Sequence, residues 1–402
     1  VVTVDVTRLG RVLSIDGESL TARAQAGIYG PELERTLQRE GYTLGHYPQS
    51  FEFSTLGGWI AARGAGQQSY RYGKAEKWLV SAELATPRGP WRTEGFPASA
   101  AGPNLNQLVA GSEGILGIIT AATFKIHRVP ELRDYRGYLF RDVAAGVRAV
   151  RAILQEELPV AMLRLSDGPE THFLGTFSAV QHPPGVIERV GSRVLSLRGY
   201  GEGRCLLLVG IEGDRETVLE TEVRTRALIG RLGGVHVGAG VGRKWYERRF
   251  AMPYLRDPLL DRGIAVETLE TSARWVDLLD LYRGVHRALA DALRDNAADE
   301  DARAIVMCHV SHGYTDGASL YFTVIFPQKQ GAEVEQWLAI KRAATDAIVA
   351  GGGTISHHHG VGTDHAPWLA REKGPIGIAA LAGLKASLDP NGTCNPGKVL
   401  PG

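Results

Sequence analysis

The sequence predicts an α+β protein of two domains, and three observations lead to this prediction. The chain has 402 residues, which is enough for two domains of roughly 100–200 residues each. Residues 1–132 read as short strands and turns around one clear helix, whereas residues 133–353 repeat a strand–loop–helix pattern. The remaining segment, residues 354–402, is rich in glycine and histidine, then reads as a helix, and ends in a turn-rich tail.

The first domain contains one helix whose two ends are marked in the sequence. Pro31 suits the first turn of a helix, and Gly41 follows the last turn. Strands are predicted in LTARAQAG, where alanines alternate with polar residues, and in ILGIITAATFKIHRV. The glycine clusters of this domain therefore fall on the turns between its elements.

The second domain is predicted to be an open sheet with helices on one face. Three strands each lead into a helix: GYLF into VAAGVRAVRAILQEE, CLLLVGIEG into RETVLETEVRTRALIGRLGG, and SLYFTVIFP into AEVEQWLAIKRAATDAIVAGGG. A helix-rich insert over about residues 270–295 lies between the second and third units. Repeated units of this kind fit a layered domain of sheet and helices.

Charge and cysteine content exclude several classes of protein. The 45 Lys and Arg residues nearly balance the 44 Asp and Glu residues, so a general nucleic-acid-binding protein is not predicted. No apolar run approaches the roughly 18–20 residues of a membrane span, and the first residues lack the pattern of a secretory signal. The widely spaced Cys205, Cys308 and Cys394 form no CxxC pair; the sequence predicts neither a zinc site nor a disulfide framework and favours the reducing cytoplasm.

Several glycine clusters indicate a bound ligand. STLGGW, RGAGQQ, GSEGILG and GGGTISHHHGVG combine glycine with Ser, Thr or His, and glycine allows the backbone to approach a ligand closely. Flexible coil is the alternative, but linkers rarely carry Trp, Leu and Ile within such clusters. The backbone N–H groups of residues 111–117 are expected to cradle a pyrophosphate. Neither GxGxxG nor GxxxxGK[ST] occurs there, so neither a nicotinamide-binding Rossmann domain nor a P-loop is predicted.

Three adjacent histidines stand within a glycine-rich frame, at His357, His358 and His359. Imidazoles titrate near neutral pH, so the triplet indicates proton transfer or polarisation of a substrate. An exposed loop or a metal site is the alternative. Adjacent residues rarely all bind one ion and no HExxH spacing occurs, so no metal site is predicted.

Two further side chains are candidates for chemistry. Tyr321 lies in a strand whose other face, formed by Leu320, Phe322, Val324 and Phe326, is apolar. It could line a cavity, although a tyrosine on a sheet usually serves packing. Arg256 could bind a phosphate or carboxylate with two hydrogen bonds, and the alternative is a surface ion pair with Asp257.

Taken together, these segments resemble the vanillyl-alcohol-oxidase, or PCMH-type, FAD-binding flavoproteins, and within them the alkyldihydroxyacetonephosphate synthases. GHYPQSFEFSTLGGW, ATPRG, GSEGILGIIT, YLRD around Arg256, LYF around Tyr321 and SHHHGVG follow the order and spacing of that family. GSEGxLG is shared with D-lactate and glycolate dehydrogenases of the broader superfamily. The histidine triplet together with LYF and YLRD is more specific to the synthases.

The resemblance implies a fold and a cofactor. The fold would be a PCMH-type FAD-binding domain of two α+β subdomains (residues 1–132), a cap domain with an antiparallel sheet covered by helices (residues 133–353), and a C-terminal segment that returns to the active site (residues 354–402). Non-covalently bound FAD would be held by three segments. Their residues are Gln49, Ser50, Phe51, Glu52, Phe53, Ser54 and Thr55; Ala62, Arg63, Gly64 and Ala65; and Gly111, Ser112, Glu113, Gly114, Ile115, Leu116 and Gly117.

The resemblance also implies roles for individual side chains. Tyr321 would be the general acid and base, with a pKa lowered from near 10 by imidazoles or the flavin. The histidines of the triplet and His46 would be catalytic. Arg256 would bind the substrate phosphate, and Arg164 in MLRLSD would be a second substrate-binding arginine.

The implied reaction exchanges the acyl group of acyl-dihydroxyacetone phosphate for a fatty alcohol through an adduct at flavin N5, in ether lipid synthesis. We expect a cytoplasmic homodimer, with peripheral membrane contact to reach lipid substrates. The family's phosphate-binding glycine loop would precede VTVDVTRLG, where this sequence begins.

Two alternative functions remain open. One is an FAD-dependent oxidase or dehydrogenase of a D-2-hydroxy acid such as lactate or glycolate, and the other is a flavin-free module that binds a lipid phosphate or a protein.

Overall fold

The chain forms two compact units in the computed structural model, which describes residues 2–181, 193 and 195–400. Unit 1 consists of residues 1–129 and 355–402, and unit 2 consists of residues 130–354. The chain therefore passes from unit 1 to unit 2 once and returns once. The C-terminal segment belongs to the same unit as the first 129 residues.

Unit 1 is built on an antiparallel sheet of five strands with the order β1-β2-β6-β4-β5. Its strands are β1 (Val12–Asp16), β2 (Thr21–Gln25), β3 (Tyr42–Thr43), β4 (Leu79–Thr86), β5 (Gly89–Arg92), β6 (Ile118–Lys125) and β7 (His127–Arg128). The short strands β3 and β7 pair with each other. Its helices are α1 (Gly30–Arg39), α2 (Leu56–Ala61), α3 (Ser69–Tyr72), α4 (Ala75–Trp78), α5 (Asn106–Val109) and, after unit 2, α13 (Ala366–Leu388).

The sequence patterns of unit 1 are confirmed where they were strongest. The helix α1 carries a proline in its first turn, and Gly41 follows it with a φ of 81°, a left-handed conformation that glycine adopts without strain. In β2, Ala22 and Ala24 are buried and the residues beside them are partly exposed. The alternation in LTARAQAG therefore gives the strand one core face.

Unit 2 is built on an antiparallel sheet of seven strands with the order β11-β8-β10-β9-β13-β14-β12. Its strands are β8 (Leu132–Phe140), β9 (Met162–Ser166), β10 (Cys205–Gly213), β11 (Val235–Gly238), β12 (Ile264–Arg274), β13 (Ile305–Gly313) and β14 (Gly317–Pro327). Its helices are α6 (Val143–Gln155), α7 (Gly168–Gln181), α8 (Arg215–Arg231), α9 (Ala239–Arg248), α10 (Arg256–Leu260), α11 (Leu278–Asp295) and α12 (Glu333–Ala350).

All three predicted strand–helix units occur, as β8 with α6, β10 with α8, and β14 with α12. Aspartates begin two of these helices: Asp142 accepts a hydrogen bond from Ala145 N, and Asp214 accepts one from Thr217 N. The predicted insert over residues 270–295 was partly wrong. Its first residues belong to β12, which pairs with β14 over its whole length, and the helix α11 begins only at Leu278.

The two faces of the unit 2 sheet differ. On one face, the apolar residues of β14 are buried, as predicted from their alternation, and α11 packs there through Tyr282, which stacks on Phe322. On the other face, Tyr135 of β8 packs against Trp245 and Tyr246 of α9. The expectation of helices on one face was therefore too simple, because α9 covers part of the second face.

Among the described residues, none of the helices combines the length and the apolar character that a membrane-spanning helix needs.

Candidate active site

In unit 1, His46 occupies a wholly buried position between two indole rings. Its exposed fraction is 0%, and its ring centroid lies 4.8 Å from that of Trp59 and 5.2 Å from that of Trp78. Burial is the main cause that lowers the pKa of His46 to about 3, and the neighbouring His358 and Lys74 side chains act in the same direction. His46 is therefore neutral near pH 7.

The hydrogen bonds of His46 identify its proton. Trp78 Nε1 donates to His46 Nδ1 at 3.3 Å, and an indole nitrogen can only donate. In the neutral ring the proton must then lie on Nε2. That buried Nε2–H has no hydrogen-bond partner among the described residues, and such a group is costly unless a ligand accepts from it.

Beside this donor lies Gly64, a residue without a side chain. A Cβ at Gly64 would lie 3.7 Å from His46 Nε2. The hydroxyl of Ser112 is also buried and without a partner among the described residues. Gly64 and Ser112 belong to two of the three segments predicted to hold FAD, so the orphaned polar atoms of unit 1 fit a polar cofactor.

Backbone hydrogen bonds hold the third predicted FAD segment against the end of α2, directly before the second segment. Gly111 N donates to Ile60 O at 3.0 Å, and Glu113 N donates to Ala61 O at 2.9 Å. Arg63, which has a φ of 56°, donates through Nη2 to Gln107 Oε1 at 2.6 Å. The two segments form one surface of unit 1.

Most backbone N–H groups at residues 111–117, where the sequence predicts a pyrophosphate cradle, have partners within the fold. The N–H groups of five of these residues already donate to backbone carbonyls, those of Gly111, Ser112, Glu113, Ile115 and Gly117. The side chains of Ile115 and Leu116 are buried in the core. The turn therefore builds the wall of the site, and its backbone has few donors left for a pyrophosphate.

Glu113 has a role that the sequence analysis missed: its carboxylate holds the loop that follows the histidine triplet. Val361 N donates to one carboxylate oxygen at 2.5 Å, and Gly362 N donates to the other at 2.8 Å. Gly360, with a φ of 88°, passes so close that a Cβ there would lie 2.9 Å from the same carboxylate. The glutamate of the GSEGILG motif thus binds the backbone of the SHHHGVG motif.

The three histidines of the triplet lie in different environments. His357 is buried, His358 is half-buried and His359 is exposed, so the alternative of a wholly exposed loop does not hold. The Nδ1 atoms of His357 and His358 lie 2.9 Å apart, so one of the two rings donates a proton to the other. Lys74 Nζ donates to His357 O at 2.6 Å and fixes the backbone of the triplet.

The first predicted FAD segment is largely exposed. Gln49, Ser50, Glu52 and Phe53 are exposed. Phe51 is buried, and its ring lies near those of Tyr47 and Trp59. Ser54 Oγ accepts from Trp59 Nε1 at 2.7 Å, and Thr55 caps the N-terminus of α2. These two residues orient Trp59, which forms one side of the His46 pocket.

In unit 2, Tyr321 lies in a row of side chains that crosses four strands. The register pairs Tyr321 with Glu270 of β12 and with His309 of β13, and His309 with Ser166 of β9. The Tyr321 and His309 rings stack, with centroids 4.8 Å apart and an interplanar angle of 19°. This row lies on the face opposite the one that α11 covers.

The expectation of a lowered Tyr321 pKa was wrong for this side chain in its unit 2 surroundings. Burial raises the pKa of the hydroxyl to about 12 and Glu270 adds to the rise, although a hydrogen bond with Thr268 opposes it. Tyr321 is therefore protonated near pH 7, which makes it an acid at rest. It becomes a base only after its own proton has been taken.

Arg164 is joined to Tyr321 through His309. Arg164 Nη1 lies 2.9 Å from His309 Nε2, and Arg164 Nη2 donates to Glu170 Oε1 at 2.8 Å. Glu170 Oε1 also lies 2.9 Å from His309 Nδ1. Of the two predicted substrate-binding arginines, Arg164 is thus the one that hydrogen bonds and ring stacking connect to Tyr321.

Arg256 is not a member of this hydrogen-bonded cluster. It begins the short helix α10 and is exposed. Asp257 is exposed as well, and no ion pair joins the two within the described residues, so the alternative of a surface pair is not borne out either.

Two residues of the unit 2 cluster, Glu170 and His309, were not predicted. The segment SDGPE does signal a helix start, since Pro169 and Glu170 suit a first turn. His309 occupies an ordinary strand position. No sequence pattern shows that the two side chains meet.

Comparison with known proteins agrees with the resemblance seen in the sequence. The family described as FAD linked oxidases, C-terminal domain, matches residues 129–399, and the FAD binding domain family matches residues 1–94. An alkyldihydroxyacetonephosphate synthase of Dictyostelium discoideum is 36% identical over 405 residues, which cover 100% of this chain and 65% of that protein. This chain thus spans about two thirds of that relative's length.

Solved structures show the same fold. A structure of an alkyldihydroxyacetonephosphate synthase superposes with a TM-score of 0.80 at 33% identity and covers 98% of this chain and 67% of that one. A p-cresol methylhydroxylase with substrate bound superposes with a TM-score of 0.67 at 15% identity and covers 98% of this chain and 79% of that one. The second match shows the PCMH-type fold alone.

Proposed function

The chain belongs to the FAD-linked oxidase family, and on that premise we propose that it is an FAD-dependent alkyldihydroxyacetonephosphate synthase. It exchanges the acyl group of an acyl-dihydroxyacetone phosphate for a fatty alcohol. The observation that carries the proposal is the 36% identity to a synthase across the whole of this chain. The histidine motif within it contains two imidazoles, His357 and His358, whose Nδ1 atoms lie within hydrogen-bond distance, as direct proton transfer between them requires.

In unit 1, we assign the cofactor to the surface formed by Ala62, Arg63, Gly64 and Ala65 with residues 111–117. These residues would hold FAD, which would supply a reactive nitrogen for the exchange of the acyloxy group for an alkoxy group. His46 offers its Nε2–H to an acceptor; its low pKa keeps the ring neutral near pH 7, and the bond from Trp78 to Nδ1 keeps the single ring proton on Nε2. Ser112 offers a hydroxyl that can donate or accept.

The histidine triplet is assigned to proton transfer. His357 and His358 share a proton along the line between their Nδ1 atoms, so a proton accepted at one ring can be passed to the other. Glu113 and Lys74 hold the backbone of the loop on both sides of the pair, so both rings keep a fixed position.

In unit 2, Tyr321 is assigned to acid and base chemistry and Arg164 to the substrate phosphate. The hydroxyl of Tyr321 carries its proton at neutral pH, so it first donates and then removes a proton in the return step. The Arg164 side chain keeps 25% of its surface exposed, and its remaining N–H groups suit a phosphate. Arg256, exposed on α10, is a second cation for the same substrate.

The test is direct. The FAD-loaded protein is incubated with palmitoyl-dihydroxyacetone phosphate and labelled hexadecanol, and we expect labelled ether product together with free palmitate. Protein with stoichiometric flavin absorbance that forms no ether would reject the proposal. Protein that binds no FAD would support the flavin-free module instead.

One alternative is supported by the family description itself, which is that of FAD-linked oxidases. Arg164 would then bind the carboxylate of a D-2-hydroxy acid. Anaerobic addition of D-lactate or glycolate would bleach the flavin absorbance under this alternative. We expect the absorbance to persist.

We further propose a cytoplasmic homodimer that contacts membranes peripherally. The support for membrane contact is the long acyl and alkyl chains of the proposed substrates, which partition into bilayers. Light scattering of the purified protein and flotation with phosphatidylcholine vesicles test the two statements separately.

A further inference from the structure

The row of side chains on the unit 2 sheet includes a closed set of three hydrogen bonds. Arg164 lies on β9, His309 on β13 and Glu170 in the first turn of α7. Each of the three side chains contacts the other two at 2.8–2.9 Å. His309 and Glu170 are buried, with 6% of each residue exposed.

The chemistry of the three groups determines the direction of each bond. A guanidinium can only donate, so His309 Nε2 accepts from Arg164 Nη1. The proton of the neutral imidazole must then lie on Nδ1, from which it is donated to Glu170 Oε1. Burial would raise the pKa of Glu170, but Arg164 and the bond from His309 outweigh burial and lower the pKa to about 2. Glu170 is therefore an anion that accepts from both partners.

This arrangement fixes two groups of the proposed active site at once. Arg164 donates two N–H groups, one to His309 and one to Glu170. These two bonds fix the orientation of the guanidinium plane, while a quarter of the side-chain surface stays exposed. Both ring nitrogens of His309 are held, and the same ring stacks on Tyr321 at 4.8 Å. The orientation of the guanidinium and that of the phenol are thereby linked through one imidazole.

We propose that Glu170 and His309 are positioning residues that hold the Arg164 guanidinium and the Tyr321 phenol at a fixed separation for a substrate with a phosphate or carboxylate group. The carboxylate orients the arginine and the imidazole, and the imidazole orients the phenol. This inference rests on the proposed function for the roles of Arg164 and Tyr321. A displacement of about 1 Å in such a group can lower a rate by about 100-fold.

Three variants separate the parts of this arrangement. Glu170→Gln keeps the shape and removes the charge. His309→Gln can donate and accept as the imidazole does but removes the ring that stacks on Tyr321. His309→Phe keeps a ring beside Tyr321 but removes both hydrogen bonds.

The sheet offers a matched control for loss of a buried ion pair. Glu222 forms an ion pair with Arg136 at 2.8 Å, and the exposed fractions of the two side chains, 11% and 25%, are close to the 7% and 25% of Glu170 and Arg164. Glu222→Gln therefore removes a comparable ion pair at another place in unit 2. If Glu170 serves stability alone, the two glutamine variants behave alike.

The experiment measures two quantities on FAD-loaded protein: binding of glycerol 3-phosphate by isothermal titration calorimetry, and kcat and KM for ether formation. We expect Glu170→Gln and His309→Phe to weaken glycerol 3-phosphate binding and raise KM by about tenfold or more. We expect His309→Gln to retain binding and to lower kcat by about 100-fold. Glu222→Gln should change neither quantity.

The outcomes distinguish the inference from the proposed function. Wild-type protein that binds glycerol 3-phosphate but forms no ether would reject the synthase activity. In that case, loss of glycerol 3-phosphate binding in Glu170→Gln but not in the control Glu222→Gln would still support the positioning role. Ether formation that is equal in wild type, Glu170→Gln and both His309 variants would overturn the positioning role and keep the function. Wild-type protein that neither binds glycerol 3-phosphate nor forms ether overturns both.

Discussion

Burial moves the pKa values of two candidate catalytic residues in opposite directions and leaves both groups neutral. Burial lowers the pKa of His46 to about 3 and raises the pKa of Tyr321 to about 12, because a poorly hydrated position disfavours the charged form of each group. Near pH 7, His46 therefore carries only one ring proton, and Tyr321 keeps its hydroxyl proton. The residue types were evident in the sequence, but the protonation states depend on their surroundings.

Removal of the Tyr321 hydroxyl tests its chemical role. Tyr321→Phe retains the ring that stacks on His309 and deletes only the group that transfers a proton. We expect the initial rate of ether formation to fall by about 100-fold or more, with the flavin absorbance per protein unchanged. Tyr135→Phe, in the same sheet, removes a hydroxyl that donates to Glu212 and should keep most of the activity; full activity of Tyr321→Phe would remove this residue from the mechanism.

The space beside His46 is tested by a single methyl group. Gly64→Ala would place its Cβ 3.4 Å from Trp59 O and 3.7 Å from His46 Nε2, which are ordinary contacts, so we expect the fold to persist. The methyl group would block the orphaned donor, and the Kd for FAD should rise by about tenfold, equivalent to about 1.4 kcal/mol. Quenching of flavin fluorescence on titration of apoprotein measures this.

Gly284 provides the control for that measurement. It lies within α11 of unit 2, and a Cβ there meets no atom within 4 Å. Gly284→Ala should leave the Kd for FAD unchanged. An unchanged Kd in Gly64→Ala as well would place the cofactor away from Gly64.

At the scale of elements, the turn before β6 and the histidine loop form one assembly in unit 1. Glu113 accepts from two backbone N–H groups of the loop, and Asn395 donates to the carbonyl oxygen of Glu113. The tail segment NPGKVL therefore reaches the same turn. The motif GSEGILG thus supports the loop that follows the histidine triplet.

Glu113→Gln tests this support. An amide can present only one acceptor oxygen, so one of the two loop N–H groups loses its partner. We expect the free energy of unfolding to fall by about 1–3 kcal/mol, measured by urea denaturation, with a parallel loss of activity. Glu83→Gln, which removes a partly exposed ion pair with Arg23, should change the stability by about 1 kcal/mol or less; equal effects would contradict the support role.

At the scale of the whole molecule, the pH dependence of unfolding should report the buried histidine. An unfolded histidine titrates near pH 6.5, whereas the pKa of folded His46 is about 3. Between these values the unfolded chain binds the extra proton. The contribution of neutral His46 is therefore complete above about pH 6.5 and is lost as the pH falls towards 3, by about 1.4 kcal/mol per pH unit at most.

The difference in unfolding free energy between wild type and His46→Gln isolates this contribution. A difference is needed because burial raises the pKa of Asp167 to about 7, which gives the stability a slope of opposite sign. We expect the advantage of wild type to be constant above pH 6.5 and to shrink below it. A constant difference from pH 7 to 4 would show that folded His46 titrates normally.

Local patterns predicted the elements well and their contacts poorly. The proline and glycine around α1, the alternation in β2 and β14, and the three strand–helix units were all legible, because they depend on residues near one another in the chain. The insert at residues 270–295 was misread, since β12 forms only by pairing with β14, more than 40 residues later. At residues 111–117, two N–H groups donate to Ile60 and Ala61, which lie far earlier in the chain, so the sequence did not show that these donors are used.

The sequence alone determined the family, the two-part α+β architecture and the residues worth testing, because motifs and hydrophobic periodicity can be recognised in the linear sequence. Tertiary structure decided which of them meet and in what state. It placed Arg164 rather than Arg256 beside Tyr321, introduced Glu170 and His309, and gave His46 and Tyr321 their protonation states. Hydrogen bonds and burial depend on distances in space. Those distances are determined by the pairing of strands and loops that lie far apart in the chain.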